Sequence, residues 1–361
     1  MYNIHLLPAI FGDAILIAYG NNTPRYILID GGPYYGFADV MAAMKRVAPG
    51  LRELELLVVT HVDIDHIDGI VTLLNRDELP FRINEVWFNG YNEIKAAATD
   101  DDTLGALQGE YLSMLIKKHG IPQNTSFGGG PVVIKDYNHL PACTLPGDMQ
   151  ITLMSPGTEG MKKLLPVWNK EVASIGDADA IAERLKKDTR YEEEIEDILG
   201  GDSIKDWQDI MITGDTSPAN GSSIAFIGTY EGKSCLFSGD ATTNYLAKSV
   251  DKLLAADDKD RLQLDAWKIG HHGSKASTLD TLMRKIDCKQ ILVSSNGKRY
   301  KHPDKECIAK LLKNNGPGLK LYFNYRTAFN ELWDNEGWKA TYQYDTFFPK
   351  TDEATGISIT L

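Results

Sequence analysis

The apolar run Leu54 to Val59 ends abruptly in Thr60-His61-Val62-Asp63-Ile64-Asp65-His66-Ile67-Asp68-Gly69. Two histidines and three aspartates thus crowd the stretch from His61 to Asp68. A buried strand cannot end in so many ionisable groups without giving them partners, because burying them unpaired is costly. Such an ending usually delivers its side chains to a metal ion. Asp63 is the residue whose type most affects what that site can hold.

Three further apolar runs end the same way. Tyr26 to Ile29 leads into Asp30-Gly31-Gly32, Ser234 to Phe237 into Ser238-Gly239-Asp240, and Leu264 to Ile269 into Gly270-His271-His272-Gly273-Ser274. Each segment has a plain alternative: Asp30 before two glycines is also a turn residue, and His272 alone is also a hydrogen-bonded structural histidine. Taken together, His61, Asp65, His66, Asp240 and His271 point to metal binding. Side chains at a strand end and in the following turn approach from different directions. His61 and Asp63 can therefore serve one ion while Asp65 and His66 serve another, with Asp240 bridging them. Two ions about 3.5–4 Å apart can share a hydroxide and polarise a phosphoryl or carbonyl oxygen.

Around these segments, β-rich stretches at Asn3 to Pro8 and Ala14 to Tyr19 precede the helical pattern Phe37 to Val47. Helical periodicity follows the motif from His66 to Asn75, and Asn84 to Phe88 reads as a strand. From about residue 92 to 215 the character becomes largely helical (Thr103 to Lys118, Gly157 to Val172, Asp177 to Lys187, Arg190 to Leu199), with a strand at Met149 to Met154. This span is expected to be an insertion within one domain covering 1–361, with Trp168 and Trp207 as packing anchors. Strands in meander, then alternating with helices, occur before and after it, an outline compatible with two divergent halves. They predict an α/β architecture of stacked mixed sheets covered by helices.

A net charge of -12 argues against a broad basic surface for duplex nucleic acid, though not against a local basic groove. The four cysteines are scattered without a C-x-x-C pair, which suits small buried residues in a reducing cytoplasm. No signal-peptide pattern opens the chain, and no apolar run approaches membrane-spanning length, so a cytoplasmic protein without a membrane partner is expected.

The pattern His61-x-Asp63-x-Asp65-His66 resembles the H-x-H-x-D-H hallmark of the metallo-β-lactamase-fold hydrolases. Gly12-Asp13-Ala14-Ile15-Leu16-Ile17, Ile29-Asp30-Gly31-Gly32 and Phe237-Ser238-Gly239-Asp240 match in order and spacing. More narrowly, the H-x-D-x-D-H variant, His271-His272-Gly273-Ser274 and the Asn296…His302-Pro303 block are similar to the hydrolase domain of the DNA-uptake channel protein ComEC and its soluble relatives. The resemblance implies a four-layer αβ/βα sandwich with two divalent ions, Zn²⁺ or Mn²⁺, at its rim. The first ion would take His61, Asp63 and Asp240, and the second Asp65, His66, Asp240 and His271, with His272 behind them. Where the family has a further histidine, this chain has Ala219-Asn220-Gly221-Ser222-Ser223, so Asn220 or water fills that position. Oxygen ligands in place of two imidazoles make the first site harder and Mn²⁺ competitive there.

The function expected from these residues is a phosphodiesterase acting on nucleic acid or a nucleotide. Lys275, Lys298 and Arg299 are the candidate phosphate contacts. Ser274 and His302 are catalytic candidates beside Asp65, with His302 protonating the leaving oxygen or holding phosphate. One alternative is a hydrolase of small esters, lactones or phosphorylcholine-type substrates, walled in by the insertion. Another is a catalytically weak scaffold in a bacterial operon, binding a protein partner or a second copy through the insertion or the aromatic C-terminal region.

Overall fold

The central strands of this chain are apolar on both faces, and the fold uses both. The computed structural model describes residues 1–99, 111–168, 203–277, 279–350 and 355–361. Strands β1 (Tyr2–Leu6), β2 (Ile15–Tyr19) and β3 (Arg25–Ile29) form an antiparallel meander. After helix α1 (Phe37–Val47), β4 (Leu56–Val58) adds parallel to β3; after helix α2 (Ile64–Leu74), β5 (Val86–Trp87) adds parallel to β4. Helices α3 (Tyr91–Thr99) and α4 (Tyr111–Lys118) follow.

The second sheet repeats this plan. Strands β6 (Ala142–Leu145) and β7 (Met149–Ser155) precede helices α5 (Thr158–Leu164) and α6 (Ile204–Asp209). Strands β8 (Ala225–Tyr230) and β9 (Lys233–Phe237) complete an antiparallel meander with β7. After helix α7 (Thr243–Asp257), β10 (Ala266–Lys268) adds parallel to β9, and β11 (Gln290–Val293) parallel to β10. Helix α8 (Lys305–Asn315), β12 (Leu319–Phe323), helix α9 (Glu336–Tyr342) and β13 (Tyr344–Phe347) extend the parallel part. The last strand, β14 (Ile357–Thr360), returns to the first sheet antiparallel to β1, with Ile4 opposite Ile359. The two main sheets run β14-β1-β2-β3-β4-β5 and β13-β12-β11-β10-β9-β8-β7-β6.

Three apolar cores separate four layers. Ile15, Ile17, Ile27 and Val58 meet Ile151, Phe226, Phe237 and Leu292 between the sheets. Leu16, Leu28 and Leu57, on the opposite face, pack under Val40, Ile67 and Ile70 of α1 and α2. Ile227, Leu236, Trp267 and Ile291 pack under Leu246, Val250, Ile308 and Leu311 of α7 and α8. Burial on both faces explains the near-continuous hydrophobic runs. The expected four-layer αβ/βα sandwich is the architecture observed.

The span 92–215 is more divided than its composition suggests. Its strands β6 and β7 are members of the eight-stranded sheet, because Met149, Ile151 and Leu153 alternate into the core between the sheets. The helices expected at Asp177 to Lys187 and Arg190 to Leu199 lie outside the described residues, as does the first part of Thr103 to Lys118. Trp168 and Trp207 are both buried packing residues. Trp207 meets Trp333 and Trp338 edge-on at ring distances of 5.8 and 6.0 Å, so much of the C-terminal aromatic content is spent on the helix-covered core. Among the described residues, no helix is long and apolar enough to cross a membrane.

Candidate metal centre

The repeated plan brings equivalent strand ends together. Asp30 follows the third strand of one meander and Asp240 the third strand of the other; His61 follows β4, and His271 and His272 follow β10. Asp30 adopts a left-handed backbone (φ 57°), which turns its carboxylate into the protein. There it is fully buried and accepts hydrogen bonds from Thr60 N–H (2.8 Å), the Thr60 hydroxyl (2.7 Å) and His66 Nδ1 (2.8 Å). Gly31 N–H donates to His66 O and Gly69 N–H to Gly32 O, which presses α2 onto this turn. A Cβ on Gly69 would lie 2.0 Å from Gly31 O, so only glycine permits that approach.

Thr60 passes the orientation on. Its hydroxyl gives its proton to Asp30 and lies 2.9 Å from His61 Nδ1. His272 Nδ1 in turn lies 3.0 Å from Ser294 O. With Nδ1 of His61, His66 and His272 each occupied, Nε2 remains. All three Nε2 atoms are buried and without a hydrogen-bond partner among the described residues. Asp240 Oδ2 lies in front of them, 3.5 Å from His66 Nε2, 4.0 Å from His61 Nε2 and 3.8 Å from His272 Nε2. Imidazoles tied at one nitrogen and aimed at shared carboxylates with the other have the form of a metal-ligand set with its outer shell. Two overlapping groups could each hold an ion: His61, His66 and Asp240, and Asp65, His66 and His272.

The two adjacent histidines, of which His271 is the ligand expected from sequence, both bring Nε2 to 3.8 Å from Asp240 Oδ2, and His272 joins a ligand group as well. His271 and His272 both have left-handed backbones (φ 49° and 54°), a strained conformation for two successive non-glycine residues. This turn splays the rings apart. His272 enters the buried interior, its Nε2 3.3 Å from Asp65 Oδ2, whereas His271 faces the rim with its Nε2 3.8 Å from Asp240 Oδ2. Asp215 lies behind His271, its Oδ2 3.4 Å from Nδ1, and also accepts a 2.6 Å hydrogen bond from Asn220 Nδ2. Asn220 is therefore tied to the His271 side of the site, while its own Oδ1 is buried and unpartnered among the described residues. Asp63 caps α2 without a side-chain cap hydrogen bond, and its partly exposed carboxylate reaches to 3.5 Å from His61 Nε2.

Charge in the cluster is strongly coupled. Burial works against the charged forms of His66 and His272, but Asp240 and its neighbours outweigh it, raising His66 well above its ordinary value and His272 to about 10. Burial likewise opposes ionisation of Asp240, yet His66, His271 and His272 hold its carboxyl well below the usual range. The side chains by themselves therefore carry protons that a bound cation displaces.

The remaining sequence candidates lie in the loops around this cluster. Ser274, one glycine beyond the histidine pair, is buried, and its N–H closes the turn onto His271 O. His302 packs at a ring distance of 5.5 Å from His271, and burial lowers its pKa, so it is neutral at pH 7 rather than a ready acid. Lys275 is held by Glu306 (2.9 Å) from α8, which takes up much of the charge expected for phosphate. The Arg299 guanidinium sits 4.9 Å over the Phe11 ring and 5.2 Å from that of Tyr300, and Lys298 is exposed. Thr60, Ser223, Asp215, Asp13 and Lys268 were not assigned roles from sequence. Thr60 carried a local signal as the hydroxyl next to His61, and Asp13 as part of the matching segment Gly12-Asp13-Ala14.

No protein-family model matches the chain, and no curated protein does. Among solved structures it is similar to Zn²⁺-bound PqqB from Methylobacterium extorquens, with 12% identity over 99% of this chain and 100% of that one and a TM-score of 0.42. It is also similar to the MIM-2 metallo-β-lactamase (11% identity, 72% of this chain and 73% of that one, TM-score 0.30). A third is the metallo-β-lactamase SMB-1 bound to 2-mercaptoethanesulfonate (12% identity, 85% and 92%, TM-score 0.29). Likeness at these TM-scores carries no argument about chemistry, which rests instead on the side chains of the site.

Proposed function

We propose that the protein is a metal-dependent phosphodiesterase acting on nucleic acid or a nucleotide. The observation that carries the reading is the pair of overlapping ligand groups sharing His66, with Asp240 Oδ2 facing the buried Nε2 atoms. The donor set of imidazole nitrogens and carboxylate oxygens fits divalent ions such as Zn²⁺ and Mn²⁺. When bound, such ions supply Lewis acidity towards a phosphoryl oxygen and a nucleophile at neutral pH.

The chain's own groups do the rest. His61, His66, Asp240, Asp65 and His272 would hold the ions, and Asp63 would add an oxygen at the open side of His61. His271, backed at Nδ1 by Asp215, is placed to hold a proton at Nε2 on the rim and to give it to a leaving oxygen. His302, neutral and packed between His271 and Tyr300, orients the departing group. Tyr300, which is exposed, presents a ring beside Arg299, a combination that favours a base and a phosphate over an apolar amide. The ComEC-like relationship rests on the sequence motifs alone.

Hydrolysis of bis-(p-nitrophenyl) phosphate and of single-stranded DNA, with added Mn²⁺ or Zn²⁺, tests the reading against Asp65→Ala. Cleavage by the wild type that the substitution abolishes is the expected result. Turnover of an ester or lactone panel without phosphodiester cleavage would replace it with the small-molecule reading. Inertness with metal bound would leave a partner-binding scaffold. Activity highest with Mn²⁺ is expected from the oxygen donors around His61.

A further inference from the structure

Lys268, the last residue of β10, is fully buried between the two sheets, where its strand neighbour Ala266 contributes only a methyl group. Its Nζ donates to Asp13 Oδ2 at 2.6 Å and to Ile269 O at 3.1 Å. Asp13 comes from the β1–β2 loop of the opposite sheet and is also buried. Its backbone N–H donates to Asp65 O (3.2 Å), and its carbonyl accepts from Gly32 N–H. His272 Nδ1 lies 3.0 Å from Ser294 O and 3.5 Å from Asp13 Oδ1, which has no hydrogen-bond partner among the described residues.

A buried ion pair between two sheets is a poor way to gain stability, since an apolar pair of similar volume does at least as well. This one lies directly behind two members of the Asp65–His66–His272 group. It touches Asp65 through the backbone and faces His272 at the nitrogen opposite its free Nε2. Outer-shell carboxylates of this kind fix ring orientation and tautomer in metal-ligating histidines.

We infer that Asp13 and Lys268 form a positioning pair for a metal that His272 would hold: Asp13 stands behind the ring at Nδ1, beside Ser294 O, and Lys268 holds the Asp13 carboxylate in place from the opposite sheet. The inference rests on the metal-centre reading above. Neither residue touches the ion or the substrate.

The test is Zn²⁺ titration of the full chain after chelator treatment, against a chromophoric competitor, together with visible spectra of the Co²⁺-substituted protein. His272→Ala identifies which of two metal equivalents belongs to its group. In Asp13→Asn that equivalent should weaken about 10–100-fold with an altered Co²⁺ spectrum, while the other keeps its affinity. Lys268→Met alone leaves Asp13 buried without its cation and is expected to fold poorly. The double variant Asp13→Asn/Lys268→Met removes both charges, should melt near the wild type, and should still show the selective weakening. A double variant that binds both equivalents like the wild type, or weakens both equally, overturns the inference. A wild type that binds fewer than two equivalents overturns the two-metal reading and this inference with it, so the two failures are distinct.

Discussion

Asp30→Asn is the substitution that most directly probes how the site is held. The native carboxylate is fully buried and accepts from Thr60 N–H, the Thr60 hydroxyl and His66 Nδ1, all between 2.7 and 2.8 Å. An asparagine of the same shape accepts at one atom only. With its oxygen towards His66, its amide nitrogen meets Thr60 N–H, donor against donor. With the amide reversed, His66 must accept at Nδ1, which moves its proton to Nε2, the atom facing Asp240. The first arrangement leaves buried donors opposed at about 1–3 kcal/mol, the second sets His66 in the other tautomer, and both exchange charge-assisted bonds for weaker neutral ones, so a loss of up to about 3 kcal/mol of folding stability is expected. Because His66 belongs to both ligand groups, both metal equivalents should weaken, each about 10–100-fold. Thr60→Val is the comparison: it removes the hydroxyl behind His61 but leaves the His66 contact, so only the His61 group should weaken. Denaturant unfolding with chelator and competitive metal titration measure the two effects. Wild-type metal affinity in a folded Asp30→Asn protein would refute the tautomer argument, and equal patterns in both variants would refute its division between the two groups.

Other outcomes follow from the same structure. The folded-state pKa of His272, about 10, lies above the ordinary value of 6.5, so protonation of this residue stabilises the metal-free protein fully below pH 6.5. That contribution is lost as pH rises towards 10, and metal uptake over the same range should tighten with pH and release protons, which calorimetry in buffers of different ionisation enthalpy detects. His5 is shifted the other way: burial pushes it down to about 4, so the unfolded chain takes up the proton first and stability falls between pH 6.5 and 4 by up to roughly 3 kcal/mol. His5→Gln should flatten that part of the urea-unfolding pH profile. Gly12→Ala places a Cβ 1.8 Å from Asp65 O, so it should destabilise by about 1–3 kcal/mol or more and displace Asp65, lowering metal affinity as well as melting temperature. Chelation should lower the melting temperature, because metal at 100 times its Kd stabilises the fold by about 2.7 kcal/mol; an unchanged melting temperature would count against a site shared between the sheets.

What the sequence displays well is whatever is local. Strands such as Ile15 to Tyr19 and Leu56 to Val58 announce themselves because both their faces are buried, and the ligand-rich ends after β4, β9 and β10 stand out against those runs. What it hides comes from distant chain. Lys275 looks like a phosphate contact until Glu306, from α8, is seen to hold it. Lys268 looks like the polar end of an ordinary strand until Asp13 meets it from the other sheet. The order of His271 and His272 cannot be read from their types, since two left-handed backbone angles decide which ring goes inward. Met149 to Met154 is legible as a strand, but its place in the eight-stranded sheet depends on β8, about seventy residues later.

The same division explains why the site lies where it does. Neither half of the chain supplies either ligand group alone: His61 and His66 need Asp240, and Asp65 and His66 need His272. The outer shell crosses as well, with Ser223 Oγ lying 3.4 Å from His61 Nδ1 and accepting from Asp240 N–H at 3.1 Å. The second half carries its ligands at the ends of its third strand and of the parallel strand beside it, and the first half carries its own after the parallel strand, with Asp30 at the end of its third strand behind His66; these positions meet only when the sheets pack face to face. The local left-handed turns at Asp30 and at His271–His272 then aim side chains from both halves into one volume. An ion held there ties the two sheets together, so the packing of the sandwich and the assembly of the site are a single event.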